Sequence, residues 1–131
     1  MIKAIFFDFY GVVNVEGKIN REVAEFLQGN NGRYLFAILS AANIDLHDWL
    51  ITHGVNDYFA VVQTTYKAGK SKSDPKFYDN VIEKLDLRPE EVIMIDDSPG
   101  YIELVQNLGM WGLLYSPNQN FLSQLRPLLN S

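Results

Sequence analysis

The chain has 131 residues and a formal net charge of -5, with 47% hydrophobic and 21% charged residues; that length suits one folded domain with its own core, and the composition is unlike that of a disordered segment. The acidic balance leaves no broad basic surface for phosphate backbones, so general nucleic-acid binding is not expected. The chain has no cysteine, which removes disulfides, thiolate catalysis and cysteine-ligated metal sites.

Met1 to Lys3 lead directly into an apolar stretch, and no apolar run approaches the ~18 residues of a membrane span, so a soluble cytoplasmic protein with no membrane partner is expected. Bounded apolar runs recur at Ala4 to Phe9, Tyr34 to Leu39, Tyr58 to Val62, Val92 to Ile95 and Trp111 to Tyr115, and they predict five buried strands. Helical periodicity fills the intervals at Asn20 to Gln28, Asp45 to His53, Asp74 to Leu87, Pro99 to Leu108 and Asn120 to Leu129. Ser73-Asp74-Pro75 is a helix start, Gly54 and Gly109 stand where helices should stop, and Asn30-Asn31-Gly32 marks a turn. Phe77, Val81, Ile82 and Leu85 form one apolar stripe of the kind that packs on a sheet. Alternating strands and helices predict an α/β, three-layer Rossmann-like fold with a mainly parallel five-stranded sheet, as one domain over residues 1–131.

Open parallel sheets bind ligands beyond the carboxyl ends of their strands. Asp8 and Tyr10 end the first strand, Ser40 with Ala41 the second, and Asp96 with Asp97 the fourth, while Lys72 precedes the third long helix. Each has an ordinary alternative: a strand-end aspartate caps a turn or the next helix, a serine there serves the turn, and Lys72 is one of the cluster Lys67, Lys70, Lys72. Other signals fail. Gly69-Lys70-Ser71 lacks the upstream glycine of a P-loop, because that position is Thr64. His47 and His53 do not share a helical face, so a histidine metal site has no support, and Trp49 and Trp111 read as core.

Phe6-Phe7-Asp8-Phe9-Tyr10-Gly11-Val12-Val13 resembles the first motif of the haloacid dehalogenase-like hydrolase superfamily. Ser40 after Leu35 to Leu39 resembles the second motif, Lys72-Ser73-Asp74-Pro75-Lys76-Phe77-Tyr78 the third, and Val92 to Gly100 with its Asp96-Asp97 pair the fourth. Four motifs in family order span nearly the whole chain. The resemblance implies that Asp8 is a nucleophile, ionised at neutral pH, that attacks a phosphoryl group and forms an aspartyl-phosphate. It implies a Mg2+ ion held by Asp8, Asp96, Asp97 and the backbone carbonyl of Tyr10. It further implies that Lys72 pairs with Asp8 and the phosphoryl oxygens, with Ser40 and Ala41 binding the substrate phosphate.

Two departures qualify the resemblance. Phosphatases of the superfamily carry a second aspartate where this chain has Tyr10, and a phenol is a poorer proton donor near neutrality than a tuned carboxylic acid. Tyr10 is therefore assigned to packing or substrate contact. The interval from Val12 to Asn20 is too short for a cap domain, so the catalytic face should be open to a phosphorylated small molecule or macromolecule, or to another subunit of an oligomer. The expected function is magnesium-dependent phosphate-ester hydrolysis. The alternative is a binding or regulatory protein on the same scaffold; a haloacid dehalogenase, which needs an enclosed pocket, is disfavoured. Tyr101 stands where the family often has a polar residue supporting the metal.

Overall fold

The computed structural model describes residues 1–129. Five strands form one parallel sheet: β1 (Ala4–Phe7), β4 (Leu35–Ser40), β5 (Phe59–Thr64), β6 (Val92–Asp96) and β7 (Trp111–Leu114), in the order β5-β4-β1-β6-β7. A two-residue hairpin, β2 (Asn14–Val15) with β3 (Lys18–Ile19), follows β1. The described residues also form six α-helices, α1 (Arg21–Gly29), α2 (His47–Thr52), α3 (Thr65–Ala68), α4 (Pro75–Lys84), α5 (Pro99–Asn107) and α6 (Phe121–Leu129), and short 3-10 turns at Asn56–Tyr58 and Pro89–Glu91.

Strand alternation builds three layers, because successive side chains leave opposite faces of the sheet. Ile5 and Phe7 of β1 join Phe36, Ile38, Ile93 and Ile95 in a core covered by α1, α2 and α6. Ala4 and Phe6 face the other way, with Ala37, Leu39, Val92 and Met94, under α4 and α5. The first core is ring-rich: Phe7 lies edge-on to Phe36 and Phe59 and stacked with Phe121, at centroid distances of 6.0, 6.2 and 6.4 Å. Burying each such side chain contributes about 1.5–3 kcal/mol, which ties α6 to the centre of the sheet.

All five predicted strands form, and the predicted stripe on α4 buries Phe77, Val81 and Ile82. Asp74 caps α4 by accepting a hydrogen bond from the Lys76 N–H at 3.0 Å, with Pro75 at the first helical position. Gly54 and Gly109 adopt φ of 72° and 91° after α2 and α5. Sequence reading missed the hairpin and α3, whose two- and four-residue lengths are too short to carry a period. The hairpin turns on Glu16 and Gly17, both at positive φ (55° and 83°), the geometry that matches strand twist. Trp111 is a correction. It is 42% exposed because β7 is an edge strand, and its indole N–H donates to the Glu90 carbonyl at 3.1 Å. Between β1 and α1 the only regular structure is the hairpin, so no cap lies there. No described helix is long and apolar enough to cross a membrane.

Candidate active site

The chain leaves β1 for β4 and β5 on one side, then returns to β6 and β7 on the other. Loops at the carboxyl ends of β1 and β6 therefore diverge, and side chains there meet in a crevice. Asp8 is fixed at this point by its N–H, which donates to the Ile95 carbonyl at 2.8 Å. Its Oδ1 accepts from the Phe9 N–H and from Lys72 Nζ, both at 2.9 Å, which leaves Oδ2 without a donor among the described residues. Lys72 is 2% exposed and lies between two acids, with Nζ 2.7 Å from Asp96 Oδ2. That second contact is an ion pair without hydrogen-bond alignment, since Oδ2 has no properly directed donor. Asp96 Oδ1 accepts from the Ser98 N–H at 3.0 Å and so braces the turn into α5. The Lys72 ammonium also sits 4.7 Å above the Tyr101 ring.

Asp97 completes the cluster, and ligand oxygens of Asp8, Asp96 and Asp97 all lie within 4.8 Å of one another. The close approach depends on Gly11, whose φ is +87° and whose absent Cβ would collide with Asp97 Oδ2. Three carboxylates face one ammonium, so the site carries an uncompensated negative charge. Burial pushes the Asp8 carboxyl up to about 7, Lys72 opposes this, and Asp96 and Asp97 add to it. Burial thus favours the protonated carboxyl relative to a free aspartate, and a bound cation would oppose that shift. Three hard oxygen donors with excess negative charge, and a buried carboxyl that a cation would hold ionised, fit a divalent ion of the magnesium type.

Ser40 lies two residues beyond the last β1–β4 pair, Phe7 with Ile38, and is fully buried. Its Oγ accepts from the Ala42 N–H at 3.2 Å, so the hydroxyl serves the turn while its own hydrogen can still reach an acceptor. Ala41 is exposed. Thr65 Oγ1 approaches the Ala41 and Ala42 carbonyls at 3.1 and 3.0 Å, pinning that loop to α3. Tyr10 is 49% exposed. The structure thus gathers Asp8, Lys72, Asp96 and Asp97, sets Tyr10 beside them through Gly11, and puts Ser40 and Ala41 on the adjoining strand end.

Tyr78 was missed as a site neighbour. Its hydroxyl is buried without a hydrogen-bond partner among the described residues, and burial, then the charges of Asp96, Tyr101 and Asp8, raise its pKa. The signal existed in its position six residues after Lys72, but an aromatic in an apolar stripe reads as core. Two cavities of about 310 and 450 Å³ lie away from the carboxylates, along β5 and at the amino ends of the strands. In the acidic site Asp8, Lys72 and Asp96 are buried while Asp97 is exposed.

Flavin mononucleotide hydrolase 1 of Arabidopsis thaliana is 36% identical over 61 residues, which are 47% of this chain and only 25% of that protein. A predicted haloacid dehalogenase-like hydrolase from Porphyromonas gingivalis superposes with a TM-score of 0.86 at 16% identity, covering 100% of this chain and 99% of that one. An enzyme of the same family name from Bacteroides thetaiotaomicron, in a magnesium complex, gives 0.80 at 16% identity over 95% and 98% of the two chains. These two likenesses establish the fold. The family model for haloacid dehalogenase-like hydrolases matches residues 15–109, a span that includes Ser40, Lys72, Asp96 and Asp97, and the chain belongs to that family.

Proposed function

We propose that the chain is a phosphate-ester hydrolase in which Asp8 is the nucleophile. The observation that carries this reading is the position of Lys72, buried between Asp8 and Asp96 with Asp97 completing a three-carboxylate cluster at the strand ends. Burying one ammonium among acids costs stability unless the arrangement serves a purpose, and such groups concentrate at functional sites. The flavin mononucleotide hydrolase relative, itself named for cleaving a phosphate ester, supports the reaction class.

In this reading Asp8 Oδ2 attacks phosphorus while Lys72 and the Phe9 N–H hold Oδ1, so the carboxylate cannot rotate away. The bond from phosphorus to the ester oxygen breaks, and that oxygen leaves with the electron pair. Ser40 Oγ donates its hydrogen to a phosphoryl oxygen, and Ala41 lines the same pocket. Magnesium, held by Asp8, Asp96, Asp97 and the Tyr10 carbonyl, would supply charge neutralisation between the anionic nucleophile and the anionic phosphoryl group. Water then hydrolyses the aspartyl-phosphate and regenerates Asp8. No carboxylic acid stands at Tyr10 to protonate the leaving oxygen, so solvent at the open face must do so. Residues 1–131 would act as one domain holding every residue this account needs, with a phosphorylated small molecule or macromolecule as substrate.

Thermal unfolding with magnesium and beryllium fluoride, a mimic of the phosphorylated aspartate, tests the reading. A ligand that binds only the folded state stabilises it, by about 2.7 kcal/mol at a hundredfold excess over its dissociation constant. The parent should be stabilised by the combination and Asp8→Asn should not. A parent that binds neither, while properly folded, favours the alternative of a binding or regulatory protein.

A further inference from the structure

We propose that the Tyr10 ring is a stacking platform that makes this site selective for aryl phosphate monoesters, in which a planar ring is bonded to the ester oxygen. The inference rests on the hydrolase reading above and names its substrate class. Tyr10 lies two residues from Asp8 in the chain, and the backbone of Gly11, next to it, lies against Asp97, so the Tyr10 backbone stands at the edge of the acidic cluster. A substrate group that reaches the ring while its phosphorus faces Asp8 must be attached at or next to the ester oxygen.

The ring is held rather than loose. It lies edge-on to Phe9 at a centroid distance of 4.9 Å and 76°, and Phe9, 1% exposed, lies edge-on to Trp49 at 4.9 Å and 87°. Trp49 in turn stacks on His53 at 3.8 Å. Tyr10 is therefore one end of a four-ring column anchored by the buried Phe9. Its backbone is fixed as well: the Phe9 carbonyl accepts from the N–H groups of Val12, Val13 and Asn14, and Tyr10 bridges Asn14. A large aromatic ring left 49% exposed on so rigid a mount loses little conformational entropy on binding a ligand. Among the described residues, only the β2–β3 hairpin lies between β1 and α1.

The chemistry of the same residue selects the same substrates. Phosphatases of the superfamily carry their acid where this chain has Tyr10, and an aryl oxide can leave without the proton that such an acid would give an alkoxide. Asp8 Oδ2 forms the new bond to phosphorus, the bond from phosphorus to the aryl oxygen breaks, and the aryl oxide takes its proton from water. Loss of the acid and gain of the ring thus favour one substrate class.

Stable phosphonates separate binding from turnover. Dissociation constants of phenylphosphonate and methylphosphonate are measured in magnesium buffer for the parent, Tyr10→Phe and Tyr10→Ser, with folding checked by circular dichroism. The parent should prefer phenylphosphonate by roughly three- to tenfold, the range expected for one aromatic pair. Tyr10→Phe should keep that preference and Tyr10→Ser should lose it. A parent without preference, or a Tyr10→Ser protein that keeps it, overturns the platform. Hydrolysis of phenyl and ethyl phosphate, followed in parallel, distinguishes the two readings. Turnover without an aryl binding preference sinks the platform and keeps the hydrolase; aryl preference without any turnover does the reverse; a parent that binds neither phosphonate and hydrolyses neither ester sinks both.

Discussion

Replacing Asp8 with asparagine should make the cation-free protein more stable at alkaline pH, although it deletes a buried ion pair. In the folded chain the carboxyl is raised from 3.8 to about 7, chiefly by burial. Between those values the unfolded chain has released its proton while the folded chain keeps it, so folding binds protons and stability falls as pH rises from about 4 to about 7. Stability linked to this group is fully present below the unfolded value and lost through the folded one. At about 1.4 kcal/mol per tenfold change in the proton equilibrium, the loss has a ceiling on the order of 4 kcal/mol. Asparagine keeps the shape and escapes the titration, but Lys72 then lacks one of its two acids, so we expect a net gain of about 1–3 kcal/mol at pH 8. The gain should vanish near pH 4, where parental Asp8 is itself protonated. Urea unfolding with a chelator present, followed by the fluorescence of Trp49 and Trp111 at pH 4, 6 and 8, measures this. A parent more stable than Asp8→Asn at pH 8 would refute the reasoning and make the Lys72 pair dominant over burial.

Other consequences follow from the same geometry. Lys72→Ala leaves Asp8 and Asp96 buried without their shared cation and should cost about 3–5 kcal/mol, read as a large fall in melting temperature; an unchanged melting curve would mean that water already solvates the acids. Gly11→Ala must hold alanine at φ +87° and displace Asp97, so it should lose about 1–3 kcal/mol of stability and weaken magnesium binding measured by titration calorimetry. Magnesium affinity equal to the parent's would remove Asp97 from the metal set. Tyr10→Asp should raise steady-state hydrolysis of an alkyl phosphate by at least about tenfold, against the 10²- to 10⁴-fold that a positioned acid–base can supply. Equal rates with chemistry limiting would reject the account of Tyr10.

The sheet was legible in the sequence because each of its strands is a bounded apolar run, and the strand ends located Asp8, Ser40 and Asp96 without any tertiary information. Lys72 was legible only through its motif; nothing local distinguishes it from Lys67, which is exposed, and burial between two acids is decided by the packing of α4. Trp111 was misread because an apolar run does not reveal whether its strand will lie at a sheet edge. The raised proton affinity of Asp8 was not legible for a related reason. It comes from burial and from carboxylates 88 and 89 positions away in the chain, Asp96 and Asp97. The ring column under Tyr10 likewise joins the loop after β1 to α2, two segments that no local pattern connects.

The central claim is that Asp8 becomes phosphorylated. The most direct measurement mixes the protein with magnesium and acetyl phosphate, quenches in acid within the turnover time, and maps the modified residue by mass spectrometry. The account predicts one added phosphoryl group on the peptide containing Asp8, absent in Asp8→Asn and shorter-lived in Tyr10→Asp. A protein that releases phosphate from acetyl phosphate with no adduct at Asp8, or with the same release in Asp8→Asn, would contradict it.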